Sequence, residues 1–201
     1  PVAIVESVEL FFSAKEDMKG KRVMITAGPT YEKIDPVRFI GNYSSGKMGY
    51  ALAEECAERG AEVLLISGPV QVRATHPNIR VLQVESAAEM YESAVEASPS
   101  QDVEILCAAV ADYTPTHPVG RKMKREKIGD FSLELTATRD IAAALGERKK
   151  EGQLLIGFAL ETNDEMSNAK GKCERKNLDF IVLNSLNDKN AGFRYDTNKI
   201  T

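Results

Sequence analysis

The sequence predicts an α/β fold: a doubly wound, Rossmann-like, mainly parallel sheet with helices on both faces and a small strand or flap extension. Three observations predict it. Residues 103–111 (VEILCAAVA), 154–159 (LLIGFA) and 179–183 (DFIVL) are near-continuous apolar runs, the pattern of strands buried on both faces. Amphipathic helical runs of about ten residues or more alternate with the strand runs. Strands joined this way wind through right-handed crossovers, and their ligands gather at the carboxyl ends of the strands.

In chain order, residues 1–20 read as a short helix and a linker. Ile4, Val5, Val8, Phe11 and Phe12 recur at helical spacing before the charged break KEDMKGK. Residues 21–27 (KRVMITA) form the first strand, and Gly28-Pro29-Thr30 breaks it. After a long loop, Met48, Ala51, Leu52 and Cys56 share a helix face, and Gly60 closes that helix. Residues 61–67 and 79–84 are the next two strands. Ser86 with Glu89 makes a capping box for a helix whose apolar face is Met90, Tyr91, Ala94 and Val95. The fourth strand, 103–111, leads into a polar loop, 112–130, and a short alternating strand, FSLEL. A helix over 139–149, the strand 154–159, a helix capped by Thr162 or Asn163 and running to about Lys176, and the strand 179–183 follow. GFRYDTNKIT reads as the first arm of a hairpin.

At 201 residues the chain is one domain of ordinary α/β size, or one domain with a short appendage. A formal net charge of −4 gives no general reason to expect nucleic acid or membrane partners. No apolar run approaches the roughly 18 residues of a membrane span, and no secretory signal pattern is legible. Cys56, Cys107 and Cys173 are far apart and form no C-x-x-C pair, which favours reduced thiols in a cytoplasmic protein over disulfides or zinc.

The chemistry concentrates between Asp35 and Gly49, DPVRFIGNYSSGKMG. A glycine-rich polar loop that opens a helix brings several backbone N–H groups to one anion, here a phosphate or a carboxylate. GNYSSGK nearly spells a P-loop, but Met48 replaces the Mg²⁺-binding hydroxyl and the loop does not follow its strand directly. The dinucleotide fingerprint G-x-G-x-x-G is absent after the first strand. Arg38 can hold a carboxylate or phosphate bidentately, and Asn42 offers a neutral amide where an oxyanion forms. Arg121, Lys122, Lys124, Arg125 and Lys127 make a local basic run in an acidic chain, read as a flap over phosphates rather than a solvated face. Asp112 follows Ala108 and Ala109, small residues that admit a ligand to the backbone; it can accept from a ribose or base, hold Mg²⁺, or merely cap the loop. Phe158 is a core ring or a stacking surface. Lys172 and Lys176 share a helical face and read first as solvated. His76 and His117 receive no role.

TAGPT (26–30), DPVR (35–38), NYSSGKMG (42–49), AAVADY (108–113) and GFALET (157–162), in this order, resemble phosphopantothenoylcysteine synthetase, the phosphopantothenate–cysteine ligase of coenzyme A synthesis. The likeness runs from about residue 20 to the end. It implies a ligase domain over 20–201, shortened at its C-terminus. Residues 1–19 would then be a linker or the end of a preceding flavin-dependent decarboxylase, with FMN bound only there. The resemblance implies that the carboxylate of 4′-phosphopantothenate attacks the α-phosphate of CTP, with Mg²⁺ carried on the triphosphate and no protein metal ligands. Pyrophosphate leaves, and the amine of L-cysteine attacks the acyl-cytidylate and releases CMP. It assigns catalysis to Asn42 and Lys122, and substrate contacts to Arg38, Asn42, Ala108 and Ala109. Nucleotide contacts fall on Gly28, Ser44, Ser45, Gly46, Asp112, Lys122, Asp140, Ile141, Ala142, Ala143, Phe158, Lys172 and Lys176. A homodimer, and a higher assembly when fused to the decarboxylase, follow by the same analogy. Thr138-Arg139 departs from the family's frequent Asn-Pro, and Leu160 from its common Ala. An NAD(P)-binding reductase and a silent nucleotide-binding module stay open beside the ligase.

Overall fold

A computed structural model describes residues 2, 5, 16–124, 130–161 and 164–185. The expected N-terminal helix on Ile4, Val8, Phe11 and Phe12, the caps at Thr162 and Asn163, and the hairpin arm GFRYDTNKIT lie outside the described residues.

Among the described residues six strands build the central sheet: β1 (Arg22–Ala27), β4 (Glu62–Ser67), β5 (Ile79–Gln83), β6 (Val103–Leu106), β9 (Leu154–Glu161) and β10 (Phe180–Ser185). Their spatial order is β10-β9-β6-β1-β4-β5, and every pairing is parallel. Two antiparallel ribbons sit outside it, β2 (Tyr31–Lys33) with β3 (Phe39–Gly41), and β7 (Tyr113–Pro115) with β8 (Leu135–Ala137). Helices that pack on this sheet are α1 (Lys47–Glu58), α2 (Ala87–Ala97), α3 (Ile141–Arg148) and α4 (Glu165–Arg175). The doubly wound, Rossmann-like class is borne out.

Alternation along the strands divides the core in two. Val23, Ile25, Val63 and Leu65 face α1, where Tyr50, Ala53 and Ala57 are buried. Met24, Leu64, Ile66 and Leu155 face the other way, against Met90 and Ala94 of α2 and Ile141 and Leu145 of α3. Each such side chain, once fully buried, contributes about 1.5–3 kcal/mol. Alpha-1 can come this close because of Gly49. A Cβ there would lie 2.5 Å from the Cβ of Ala27, so any larger residue would push the helix off β1.

Ser86 caps α2 as expected, but the return bond of the capping box falls on the residue before the cap. Ser86 Oγ accepts from Glu89 N at 3.2 Å, and the Glu89 carboxylate accepts from Glu85 N at 2.6 Å. Some boundaries differ. Beta-6 stops at Leu106 rather than 111, because its neighbour β1 has ended at Ala27; only an isolated bridge, Pro29 to Ala109, continues the pairing. The strand expected at FSLEL is displaced to Leu135–Ala137, where its register with β7 places Tyr113 opposite Ala137. Beta-2, β3 and β7 were not expected at all. Three residues are too few for alternation to be legible.

Candidate functional site: a crevice at the strand switch point

Beta-1 and β6 are adjacent, but the chain leaves them toward opposite sides of the sheet. At such a switch point their C-terminal loops diverge and leave a crevice. Here it measures about 1050 Å³.

One wall is the 42–49 loop and the start of α1. Gly46 is the N-cap of α1 with φ 76°. That left-handed turn favours glycine, and a Cβ would also lie 2.8 Å from Val70 Cγ1. The turn presents the first N–H groups of α1 to the crevice beside Ser44 and Ser45. The opposite wall carries the start of α3. Asp140 caps it, its Oδ1 accepting from Ala143 N at 3.0 Å, while its Oδ2 pairs with Lys176 Nζ at 2.8 Å. Burial acts most strongly on the Asp140 carboxyl and pushes its pKa up. Lys176 and the N–H groups of Ala143 and Ala142 together outweigh that and hold it below its ordinary value. Two helix N-termini therefore face the same space from two sides, each with partial positive charge. Lys172 and Lys176 add cations to the lining, which also includes Phe158, half-buried against the core.

The floor is the loop after β6, and it is tied down residue by residue. Ala108 N donates to Thr26 Oγ1 at 3.3 Å, and Ala109 N to Gly28 O at 2.9 Å. Ala111 N donates to the buried Thr30 Oγ1 at 3.0 Å, and Ala111 O accepts from Thr138 Oγ1 at 2.7 Å. Asn42 reaches across to give Nδ2 to Ala109 O at 2.7 Å. Cys107 lines the floor too, and burial pushes its thiol up to about 12.

The expected residues are largely brought together. Asn42, Ser44, Ser45 and Gly46 line the crevice, as do Ala108, Ala109 and Asp112, then Asp140, Ile141, Ala142, Phe158, Lys172 and Lys176. Lys172 and Lys176, whose first reading was solvated, both face the crevice. Four expected residues do not line it. Gly28 lies under the floor, Ala143 serves the α3 cap, and Lys122 is exposed outside. Arg38 pairs with Asp35 and gives Nη2 to Met123 O at 2.8 Å. The reading of the sequence missed Asp35, Thr26, Thr30 and Thr138. Thr26 and Thr30 were visible within TAGPT, but which backbone groups they hold depends on a loop far along the chain. Among the described residues no group of three or more His, Cys, Asp or Glu could hold a metal ion. No described helix is long and apolar enough to cross a membrane.

The family described as "DNA/pantothenate metabolism flavoprotein C-terminal domain" matches residues 18–201. The chain belongs to this family. Over the whole chain it is 47% identical to the coenzyme A biosynthesis bifunctional protein CoaBC of Bacillus subtilis strain 168, covering 50% of that protein. It is 55% identical, again over its whole length, to a cysteine/cysteine sulfinic acid decarboxylase of an unidentified prokaryote, covering 57% of it. The chain thus spans about half the length of the relatives it matches. A crystal structure of the C-terminal domain of CoaBC superposes with TM-score 0.73 at 47% identity, over 83% of this chain and 78% of that one. A Cab2 mutant in complex with phosphopantothenate-cysteine shares the fold, with TM-score 0.69 at 18% identity, over 94% of this chain and 82% of that one. The resemblance to the ligase part of the bifunctional coenzyme A proteins is borne out at the level of family and fold.

Proposed function

We propose that the chain is the ligase that joins 4′-phosphopantothenate to L-cysteine through a CTP-derived acyl-cytidylate, in the cytoplasm. One observation carries this reading. Two helix N-termini and two lysines converge on a crevice large enough for more than one ligand, with an amide side chain locked across its floor. Sites for a single small molecule span about 300–1,000 Å³, and this one reaches about 1050 Å³.

Carboxylate activation needs charge neutralisation and positioning more than a protein nucleophile. The α1 N-terminus with Ser44, Ser45 and Gly46, and the α3 N-terminus with Ile141 and Ala142, hold phosphates. Lys172 and Lys176 offset their charge, and Asp112 contacts the nucleotide. Ala108 and Ala109 let the acid lie against the floor. Asn42 gives one amide hydrogen to Ala109 O; the rest of the amide faces the reacting carboxylate and steadies the acyl-cytidylate. Arg38, whose side chain is 44% exposed, contacts phosphopantothenate. Lys122 serves the phosphates or the second half-reaction. Mg²⁺ fits as an ion carried by the phosphates, since it retains several waters and takes only one or two carboxylates. Asp112 and Asp140 are the carboxylates within reach, and the bound ion supplies further charge neutralisation.

A homodimer belongs to the same reading. The two ribbons and the loops beside them expose Val37, Phe39, Tyr43 and Tyr113, an apolar surface suited to a second copy.

The test uses purified protein with CTP, Mg²⁺ and 4′-phosphopantothenate. Stoichiometric pyrophosphate without cysteine, and CMP only after cysteine is added, is the expected result; ATP in place of CTP should release far less. Nucleotide binding without pyrophosphate favours the silent module, and tight NADPH binding favours the reductase. Release of CO₂ from cysteine with no pyrophosphate would transfer the activity named for the 55%-identical relative.

A further inference from the structure

The Asp35 side chain is completely shielded from solvent, yet it lies in the short turn before Arg38 and contributes nothing to the crevice. Its carboxylate collects donors from two distant parts of the chain. Oδ1 accepts from Val37 N at 2.8 Å and Arg38 N at 2.9 Å. Oδ2 accepts from Arg38 Nε at 3.0 Å, from Arg38 Nη2, and from the backbone N–H of Met123 at 3.1 Å. Arg38 Nη2 in turn donates to Met123 O at 2.8 Å. The Asp35–Arg38 pair therefore grips both backbone polar groups of one residue. Val119 N, which donates to Ile34 O at 2.9 Å, adds a second tie a few residues upstream.

The gripped residue is the one after Lys122. Met123 N belongs to the peptide that carries the Lys122 carbonyl, so fixing it fixes the backbone from which the Lys122 side chain extends. Lys122 and Lys124 themselves are exposed. One oxygen of this buried carboxylate closes its own turn on Val37 N and Arg38 N, and the other is turned to a basic segment far along the chain. Charge-assisted hydrogen bonds of this kind are about twice as strong as neutral ones.

We propose that Asp35 is a positioning residue: through Met123 it sets the reach of the Lys122 ammonium during turnover. This rests on the ligase reading and on the role given there to Lys122. The same carboxylate orients Arg38, so the turn couples the acid-binding loop to the basic segment.

Two readouts test it. The first needs no activity: trypsin cleavage after Arg121 in the native protein. Asp35→Asn turns one oxygen into a donor that faces Arg38 and Met123 N, and cleavage should rise at least tenfold while the thermal midpoint stays above the assay temperature. Unchanged cleavage overturns the clamp. The second is turnover. Asp35→Asn should lower kcat with little change in the KM for CTP, and adding Lys122→Ala should lower it barely further than Lys122→Ala alone. Multiplicative losses in the double variant overturn the proposal, because independent residues combine additively in free energy. Should Asp35→Asn fail to fold, Met123→Pro removes the same N–H from the other side of the contact and must reproduce both effects. A wild-type protein that forms no product removes the ligase reading and Lys122's role with it, whereas a protected Arg121 bond would still identify the clamp.

Discussion

Glu104 offers a direct test of how the interior of this sheet is built. It sits in β6 between Met24 of β1 and Leu155 of β9, on the face covered by α2 and α3, and is 1% exposed. Among the described residues neither of its oxygens has a hydrogen-bond partner. Burial pushes its pKa up, and Ser98, near but outside hydrogen-bonding geometry, pulls slightly the other way. A raised carboxyl pKa means the folded state holds its proton to higher pH than the unfolded chain, whose glutamates titrate near about 4.3. The contribution is fully present below that value and is lost as pH rises through the folded pKa. For one proton the slope is at most about 1.4 kcal/mol per pH unit. Glu104→Gln keeps the shape and a comparable buried polar group but removes the titration. Wild type and variant should agree within about 1 kcal/mol at pH 4.5, where both side chains are neutral in the folded state and the unfolded Glu104 is only about half ionised. They should then diverge as pH rises, the variant becoming the more stable. For a domain of this size each kcal/mol moves the midpoint by about 2–4 °C. Calorimetry or urea melts between pH 4.5 and 8 measure this. Parallel curves for the two proteins would refute the argument, since they would mean Glu104 titrates alike in both states.

Other outcomes follow from the crevice. Asn42→Ala should abolish product formation while CTP binding, measured by calorimetry, changes less than threefold; unchanged turnover would remove the role given to Asn42. Lys176→Ala leaves Asp140 without its cation and the phosphates with one fewer, so the Kd for CTP should rise about tenfold or more, from the 1.5–3 kcal/mol of a charged hydrogen bond. Cys107, with its thiol pushed up to about 12 from 9.0, carries about a thousandfold less thiolate than an ordinary cysteine at pH 8. Alkylation followed by mass spectrometry should therefore label Cys173 well before Cys107, and the order should vanish in denaturant.

The parts of this molecule that were legible in its sequence are those governed by periodicity and local chemistry. The strands 22–27 and 62–67 announced themselves as apolar runs, and Ser86 with Glu89 spelled its own cap. The crevice followed from topology, because loops after the first and fourth strand runs must meet when the strands are parallel. What stayed hidden depends on partners distant in the chain. No local feature of Arg38 shows that Asp35 and Met123 occupy its donors. Glu104 lies inside a run that reads as apolar, and its burial is set by α2 and α3. Lys172 and Lys176 could not be told from solvated lysines until Asp140 and the end of β9 came beside them.

The tethered floor has a consequence for selectivity. Ordering a free loop costs on the order of 1–2 kcal/mol per residue. Here Thr26, Gly28, Thr30, Asn42 and Thr138 have already ordered the 108–111 backbone before any ligand arrives. A ligand therefore spends none of its affinity on arranging that surface. Such a floor fits one shape and cannot adapt to another. Change in what the crevice accepts then falls to the rim, where single side chains can be exchanged without disturbing the sheet beneath them.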